Sequence, residues 1–168
     1  MAHGLKRTSS DFFVSATIAE AVAGTFREQT ISLPLNSLDR EVFVITGIIL
    51  DPSTPESIPA TQTTSFLQLT RNLAGGLQNL GNFNCIALSS ESINGGVAEF
   101  DFFSKTYGNQ IMQSGQDYVD VVATPNMALG IIGLNNAAAM SGTIRVFGYR
   151  AVADVGTYSA LIASELNS

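Results

Sequence analysis

The chain has 168 residues, a length that suits one domain with a substantial core. Hydrophobic residues make up 45% of it and charged residues only 13%, about half of the roughly 25% typical of soluble domains. This composition excludes intrinsic disorder, which needs few apolar residues and many charges. A long charge-free stretch between residues 123 and 145 is broken by Thr, Pro and Asn, so it does not predict a transmembrane helix.

Eight Lys and Arg residues face fourteen Asp and Glu residues, which gives a formal net charge of −6. The cations are scattered, and the densest cationic spot is the pair Lys6-Arg7. Because nucleic-acid affinity depends on clustered cations that release counterions, we expect no direct nucleic-acid binding. The weak charge instead predicts a surface that contacts other chains. No apolar segment follows the first charges, so the sequence predicts no secretory signal.

In chain order, the first predicted segment is an N-terminal arm, residues 1–20. Its first ten residues are almost entirely polar or small. We expect them to be mobile in the monomer and ordered only by a neighbour or an underlying membrane.

The next segment, residues 21–153, predicts a β-sandwich, because its apolar residues recur with period two or in short runs bounded by turn residues. The strongest strand is 41–51, in which nearly every residue is a β-former. Pro34 near the end of the first run predicts either the edge of a sheet or the end of a strand. The eight predicted strands are 25–34, 41–51, 63–70, 83–89, 97–104, 116–123, 127–133 and 142–152.

The last segment, residues 154–168, predicts a short helix or tail that Asp154 caps. The apolar residues at helical spacing are Tyr158, Leu161, Ile162 and Leu166. Eight strands and one helix predict an all-β fold, namely an eight-stranded antiparallel jelly-roll β-sandwich with a short C-terminal helix. The main alternative is an immunoglobulin-like sandwich, but the sequence lacks the Cys…Trp…Cys framework of that fold.

The alternation of residues in the final strand predicts which of its two faces is buried. Ile144, Val146 and Gly148 share one side, which we assign to the core, with Gly148 leaving room for a facing side chain or a bulge. The other side carries Arg145, Phe147 and Tyr149 besides Thr143. It is too aromatic for bare solvent, so we assign it to a subunit contact or to cover from the C-terminal helix.

Candidate catalytic and metal-binding residues are few. His3 and Cys85 are the only His and Cys. A nucleophile needs a base within hydrogen-bond reach and a zinc site needs several such ligands, so neither chemistry is predicted. Cys85, which lies in an apolar run, is predicted to be a small core residue.

Two carboxylate pairs remain, Glu99 with Asp101 and Asp117 with Asp120. Either pair has the oxygens that calcium prefers, and two carboxylates also serve in glycoside hydrolysis. We favour solvated faces for both pairs. The residues then expected to face inward are Phe100, Phe102, Tyr118, Val119 and Val121.

The glycine pairs lack the context of a phosphate-binding loop. The phenylalanines at 12–13 and 100–103 have no interleaved cations, so core or interface packing is favoured over base or sugar stacking. The sequence therefore predicts no catalytic, cofactor-binding or metal-binding residue, no cofactor and no enzymatic activity.

Three segments carry a resemblance to a known family. Residues 131–137 and 142–151, joined by a loop of small residues, resemble the last strand pair of a viral single jelly roll, and residues 43–52 resemble an early long strand of that fold. The resemblance implies a capsid protein that assembles into an icosahedral shell without catalysis. Because only Lys6 and Arg7 stand in place of a basic arm, it points to the single-jelly-roll shells of membrane-containing DNA viruses.

The resemblance further implies a virion protein made in the host cytoplasm. The expected partners are copies of itself and, beyond these, a second capsid protein or an underlying viral membrane. Two alternatives stay open. One is a non-catalytic carbohydrate- or receptor-binding β-sandwich module, with or without calcium at Glu99 and Asp101. The other is a β-sandwich hydrolase that uses two carboxylates.

Overall fold

The computed structural model of the chain describes residues 4–96, 102–106 and 117–166. This part of the chain contains ten strands, followed by one α-helix. The strands are β1 (Leu5–Arg7), β2 (Phe12–Ala19), β3 (Arg27–Ser32), β4 (Glu41–Pro52), β5 (Gln62–Thr70), β6 (Cys85–Asn94), β7 (Phe102–Thr106), β8 (Asp120–Val122), β9 (Asn126–Leu134) and β10 (Ser141–Ala153). The helix is α1 (Val155–Leu166), and Ser37–Asp39 forms a short 3-10 turn before β4.

The first sheet is built around β10. This strand pairs antiparallel with β4 on one side and with both β1 and β2 on the other. β1 and β2 lie end to end along the same edge of β10, with Leu5 opposite Ala153 and Ala19 opposite Ser141. β8 extends the sheet beyond β4.

The presence of β1 and β2 corrects the predicted strand number, which was eight and is ten within the described residues. Both lie in the segment predicted as an arm, residues 1–20, and both belong to the sheet. β2 alternates as a half-buried strand should, because Phe12, Val14, Ala16 and Ile18 all pack on the core.

Residues 4–10, which we expected to be ordered only by a neighbour or a membrane, are hydrogen-bonded to the chain's own sheet and helix. The N–H groups of Thr8 and Ser9 donate to the Arg150 carbonyl oxygen, at 2.9 and 3.4 Å. The Asp154 N–H donates to the carbonyl oxygen of Gly4 at 2.9 Å, which ties the start of the sheet to the start of the helix. Backbone pairing thus orders a segment that has few apolar side chains.

The second sheet has the order β3-β9-β5-β6-β7, and all neighbours are antiparallel. β3 stands at one end of this order, as Pro34 predicted. β6 continues to Asn94, beyond the predicted end at residue 89, because it pairs with β5 and β7 over that length. β8 is shorter than the predicted 116–123, and after Val122 the N–H groups of Ala123 and Thr124 donate to the Glu165 carboxylate of the helix.

The two sheets enclose one apolar core. Both contribute aliphatic side chains, and the largest fully buried ones include Phe43, Ile45, Leu67, Leu129 and Ile144. Full burial of such a side chain stabilises the fold by about 1.5–3 kcal/mol. The described part of the molecule is therefore an all-β fold of two packed antiparallel sheets with one C-terminal helix.

The predicted faces of the last strand are confirmed. Ile144 and Val146 are buried in the core, whereas Thr143 and Arg145 are exposed. Gly148 is also buried, and a side chain there would meet the Val44 carbonyl oxygen at 2.2 Å.

The space above Gly148 is used by two aromatic rings. Phe12 lies opposite Gly148 on β2, and the ring of Phe43 on β4 lies within 2.8 Å of where a Cβ would stand. The two ring centroids are 5.3 Å apart. The glycine thus lets residues from both neighbours of β10 meet across it, as the prediction of room for a facing side chain required.

A bulge in β4 adjusts its faces to the core. Phe147 lies opposite Gly47, but Gly148 lies opposite Ile45, so Thr46 is an extra residue. Before the bulge the odd-numbered residue Ile45 faces the core, and after it the even-numbered residue Ile48 does. The sequence predicted one uninterrupted strand here.

We expect Val146→Asp to unfold the domain. Val146 is fully buried, and an unpaired carboxylate there costs several kcal/mol, a large part of the roughly 5–15 kcal/mol that stabilise a typical domain. The matched control is Ser15→Asp, which places the same carboxylate on the exposed side of the sheet, opposite Arg145. Denaturant unfolding followed by circular dichroism measures both. A stable Val146→Asp protein would contradict the assignment of this face to the core.

Candidate assembly surface

Helix α1 covers one half of the outer face of the first sheet. The predicted helix residues Tyr158, Leu161 and Ile162 pack there, together with Tyr149 of β10. Tyr149 thus receives the helical cover that the sequence offered as one option. The sheet residues buried beneath the helix are Val42, Val44, Val121, Ala123, Ala151 and Ala153.

Both ends of the helix are anchored by carboxylates. Asp154 caps the first turn as predicted, accepting the Thr157 N–H at 2.8 Å, and this hydrogen bond lowers the pKa of the Asp154 carboxyl. At the other end the buried Glu165 carboxylate accepts the N–H groups of Ala123 and Thr124, at 2.7 and 2.9 Å. Leu166, predicted on the packed face, is exposed instead, so Glu165 makes the last inward contact.

A buried ion pair lies beside this end of the helix. The Nη2 atom of Arg71 lies 2.5 Å from the Oδ2 atom of Asp120. The Arg71 guanidinium also lies over the Phe83 ring, 4.4 Å from its centroid. Burial raises the pKa of the Asp120 carboxyl above its usual 3.8, although Arg71 and the Val121 N–H act in the opposite direction. The charge of Glu165 adds to the increase in pKa.

The other half of the outer face is not covered by the helix and carries exposed apolar side chains. Phe13 on β2, Phe147 on β10 and Ile49 on β4 lie on three neighbouring strands. Phe13 is 54% exposed and Ile49 is 46% exposed, whereas Phe147 is partly buried. We call these three residues and Arg145 the outer patch.

The outer patch is held by contacts among its own members. Phe13 and Phe147 are directly opposite each other, with ring centroids 6.2 Å apart. The Arg145 guanidinium stacks on the Phe13 ring at 4.7 Å. Gly47, opposite Phe147 on the other side, leaves space beside the ring, since a Cβ there would be 3.7 Å from it. The patch is therefore an ordered apolar surface suited to protein contact.

Sequence reasoning identified Phe147 and Arg145 as surface candidates and left Phe13 open between core and interface packing, but it missed Ile49. The signal for Phe13 was the alternation of β2, which we assigned to the arm. Ile49 was hidden because the bulge at Thr46 cannot be read from a continuous run of β-formers.

The structure does not support the predicted solvated position of Asp120, which is half-buried and paired with the buried Arg71. Asp117 is exposed, and so is Tyr118, which was expected to face inward. Val121 faces the helix. Glu99, Asp101 and Phe100 lie outside the described residues, as does His3, and Phe102 is exposed.

Cys85 is buried as predicted. Burial raises the pKa of its thiol, which disfavours the reactive thiolate. Within residues 4–96, 102–106 and 117–166, no group of three or more His, Cys, Asp or Glu side chains could hold a metal ion. In the same part of the chain, no helix combines the length and apolar character needed to cross a bilayer.

No protein-family model matches the sequence, and no curated protein matches it. Among solved structures, the chain is similar to one in the structure of turnip yellow mosaic virus at 100 K. The two share 12% sequence identity over 88% of this chain and 99% of that chain, with a TM-score of 0.31.

We expect Glu165→Ala to lower the free energy of unfolding by about 2–4 kcal/mol, because two backbone N–H groups lose a charged acceptor in a buried place. Glu165→Gln keeps one acceptor oxygen and should cost about half as much. Denaturant unfolding gives the two values, and hydrogen exchange at Ala123 and Thr124 should speed up in the alanine variant. Equal stability of all three proteins would show that the helix is held by its apolar face alone.

Proposed function

We propose that this protein is a structural subunit of a viral shell, in which copies of the chain associate into an icosahedral capsid without catalysing a reaction. The observation that carries the proposal is the outer patch. An exposed, preorganised apolar surface on a chain with few charges is favourable for contact with another protein surface. We take the occupant to be a second copy of this chain.

The scarcity of charged side chains in the outer patch supports this choice of occupant. A net charge of −6 opposes self-association, so copies should meet where charge is least. In the outer patch the only charge is Arg145, whose guanidinium lies over the Phe13 ring. An interface of standard size buries roughly 800 Å² per partner, more than these four side chains alone provide. Neighbouring parts of the sheet face must therefore join the contact.

We further propose that the two sheets are a jelly roll. This fold arises when a long antiparallel hairpin rolls up, so that the first strand pairs with the last and inner strands pair in nested order. The observed pairs support this description, since β2 pairs with β10, β3 with β9, β4 with β8 and β5 with β6. Jelly rolls occur in viral capsids and in lectins, so the fold alone does not decide the function.

The proposal includes no direct contact with nucleic acid. Lys6 and Arg7, the densest cationic pair, lie in β1. The Arg7 guanidinium forms an ion pair with Asp11, with 3.1 Å between Nη2 and Oδ2, and lies 4.3 Å from the centroid of the Tyr149 ring. Its charge therefore already has partners within the chain. This arrangement favours a shell whose contents are packaged by another protein or by a membrane, as in the membrane-containing DNA viruses. In this proposal the protein is made in the host cytoplasm and resides in the virion, where a second capsid protein or the membrane is a further partner.

We expect the purified protein to form oligomers or particles at micromolar concentration, because association covers the exposed apolar side chains of a weakly charged chain and so gains free energy. Analytical ultracentrifugation measures the mass, and negative-stain electron microscopy shows whether closed shells are present. A single 17.7 kDa species over a wide range of concentration and salt would contradict the shell. A thermal shift on adding sugars or calcium would favour the binding-module alternative instead.

We expect Phe147→Ser to weaken assembly while the domain stays folded, since the ring lies on the outer face and not in the core. The matched control is Leu38→Ser, which removes an exposed apolar side chain from the 3-10 turn. Sedimentation compares the assembled fractions, and circular dichroism checks the fold. If the two variants assemble equally well, the outer patch is not an interface.

A further inference from the structure

The connection between β5 and β6, residues 71–84, folds back over the outer face of the second sheet. Gln68 points outward from β5, yet it is fully buried because this segment covers it. Its amide donates to the Gly76 carbonyl oxygen at 3.0 Å and accepts the Gln78 N–H at 2.7 Å. We call residues 71–84 the flap.

Other side chains also fix the backbone of the flap. The Glu28 carboxylate on β3 accepts the N–H groups of Ala74 and Gly75, at 2.7 and 2.9 Å. At the base of the flap, the Asn84 side chain accepts the Asn72 N–H at 2.8 Å and donates to its carbonyl oxygen at 3.1 Å. The flap is therefore preorganised, with its polar backbone groups turned toward the sheet.

The apolar side chains of the flap are turned the other way. Four of them are exposed to solvent, by 63%, 40%, 59% and 54% respectively: Leu73, Leu77, Leu80 and Phe83. A single exposed leucine is ordinary on a protein surface, whereas several large apolar side chains exposed on one short segment are informative. The flap has four of them, which favours a surface that another molecule covers.

The flap has no charge from residue 72 to residue 84. On a chain with a net charge of −6, an uncharged rigid surface is a place where two copies approach without repulsion. We infer that the flap is a contact between two copies of this chain, separate from the outer patch on the other sheet. The inference rests on the proposed function in so far as both require copies to meet.

A hollow beside the flap offers space for a projecting side chain of a second copy. It has a volume of about 310 Å³, equal to about ten molecules of liquid water, and Leu73 forms part of its wall. The other residues that line it are Thr30, Arg71, Asn72, Asn126, Met127 and Ala128. Projecting leucines and an adjoining hollow on the same molecule are what a contact between identical copies needs.

A membrane fits the flap less well than a second copy does. Peripheral membrane contact gains from Lys and Arg at the rim of the apolar surface. The flap has only Arg71, at its base, and this guanidinium is engaged by Asp120 and by the Phe83 carbonyl oxygen. The overall negative charge also opposes binding to anionic lipids.

The test uses the full chain with Leu77→Ser and Leu80→Ser together, and the control combines Val22→Ser with Leu38→Ser, which removes two exposed apolar side chains elsewhere. We expect unchanged unfolding midpoints for both. The association constant measured by sedimentation should fall at least about tenfold in the flap variant only, since two buried leucines are lost from the contact. In a third protein, p-benzoylphenylalanine in place of Leu77 should cross-link two chains on illumination, with the attachment in the flap or hollow of the second chain.

The outcomes separate this inference from the shell. If the parent chain forms particles and the flap variant forms the same particles, the flap contact is wrong and the shell stands. If position 77 cross-links two chains but the parent chain forms no particles, the flap contact stands and the shell is wrong. Flotation of the parent chain with phosphatidylcholine vesicles, lost in the flap variant and without cross-linked pairs, would replace the second copy by a membrane.

Discussion

The central strand β10 is hydrogen-bonded on both sides along most of its length, and the rest of the first sheet depends on this pairing. β4 lies on one side, and β2 and β1 lie on the other. Gly148 lets Phe12 and Phe43 meet across the strand, so the two neighbours are also fixed to each other. The same strand supplies Phe147 and Arg145 to the outer patch and Tyr149 to the helix.

Period-two alternation allowed the sequence to predict most of the strands and the faces of the last one. It did so because Ile144 and Val146 alternate with polar or aromatic residues over an unbroken stretch. It failed where the backbone departs from period two, as at Thr46, whose bulge reverses the inward side of β4. It also failed where pairing outweighs composition, since Leu5–Arg7 has little apolar character and is held by hydrogen bonds to β10.

The candidate surfaces were less accessible to sequence reasoning than the core. Phe147 was predicted because its strand was placed correctly, but Phe13 and Ile49 become its neighbours only through the register of three strands. Asp120 was predicted on a solvated face because its partner, Arg71, is 49 residues away. The sequence did not predict the flap as a surface, since nothing in its leucines shows that Gln68 and Glu28 hold its polar side inward.

The strand that organises the first sheet is also the last strand to be synthesised. β2 pairs with β10, whose residues follow it by more than a hundred positions, and Phe12, Val14 and Ile18 need that pairing before they can be buried. At roughly 5–20 residues per second, the ribosome takes about 6–24 seconds to supply the partner. During that interval a nascent chain has a free strand edge that a second nascent chain can occupy. Because the closing contacts are so distant in sequence, we expect folding to be slow and the yield of native protein to depend on translation rate and on chaperones.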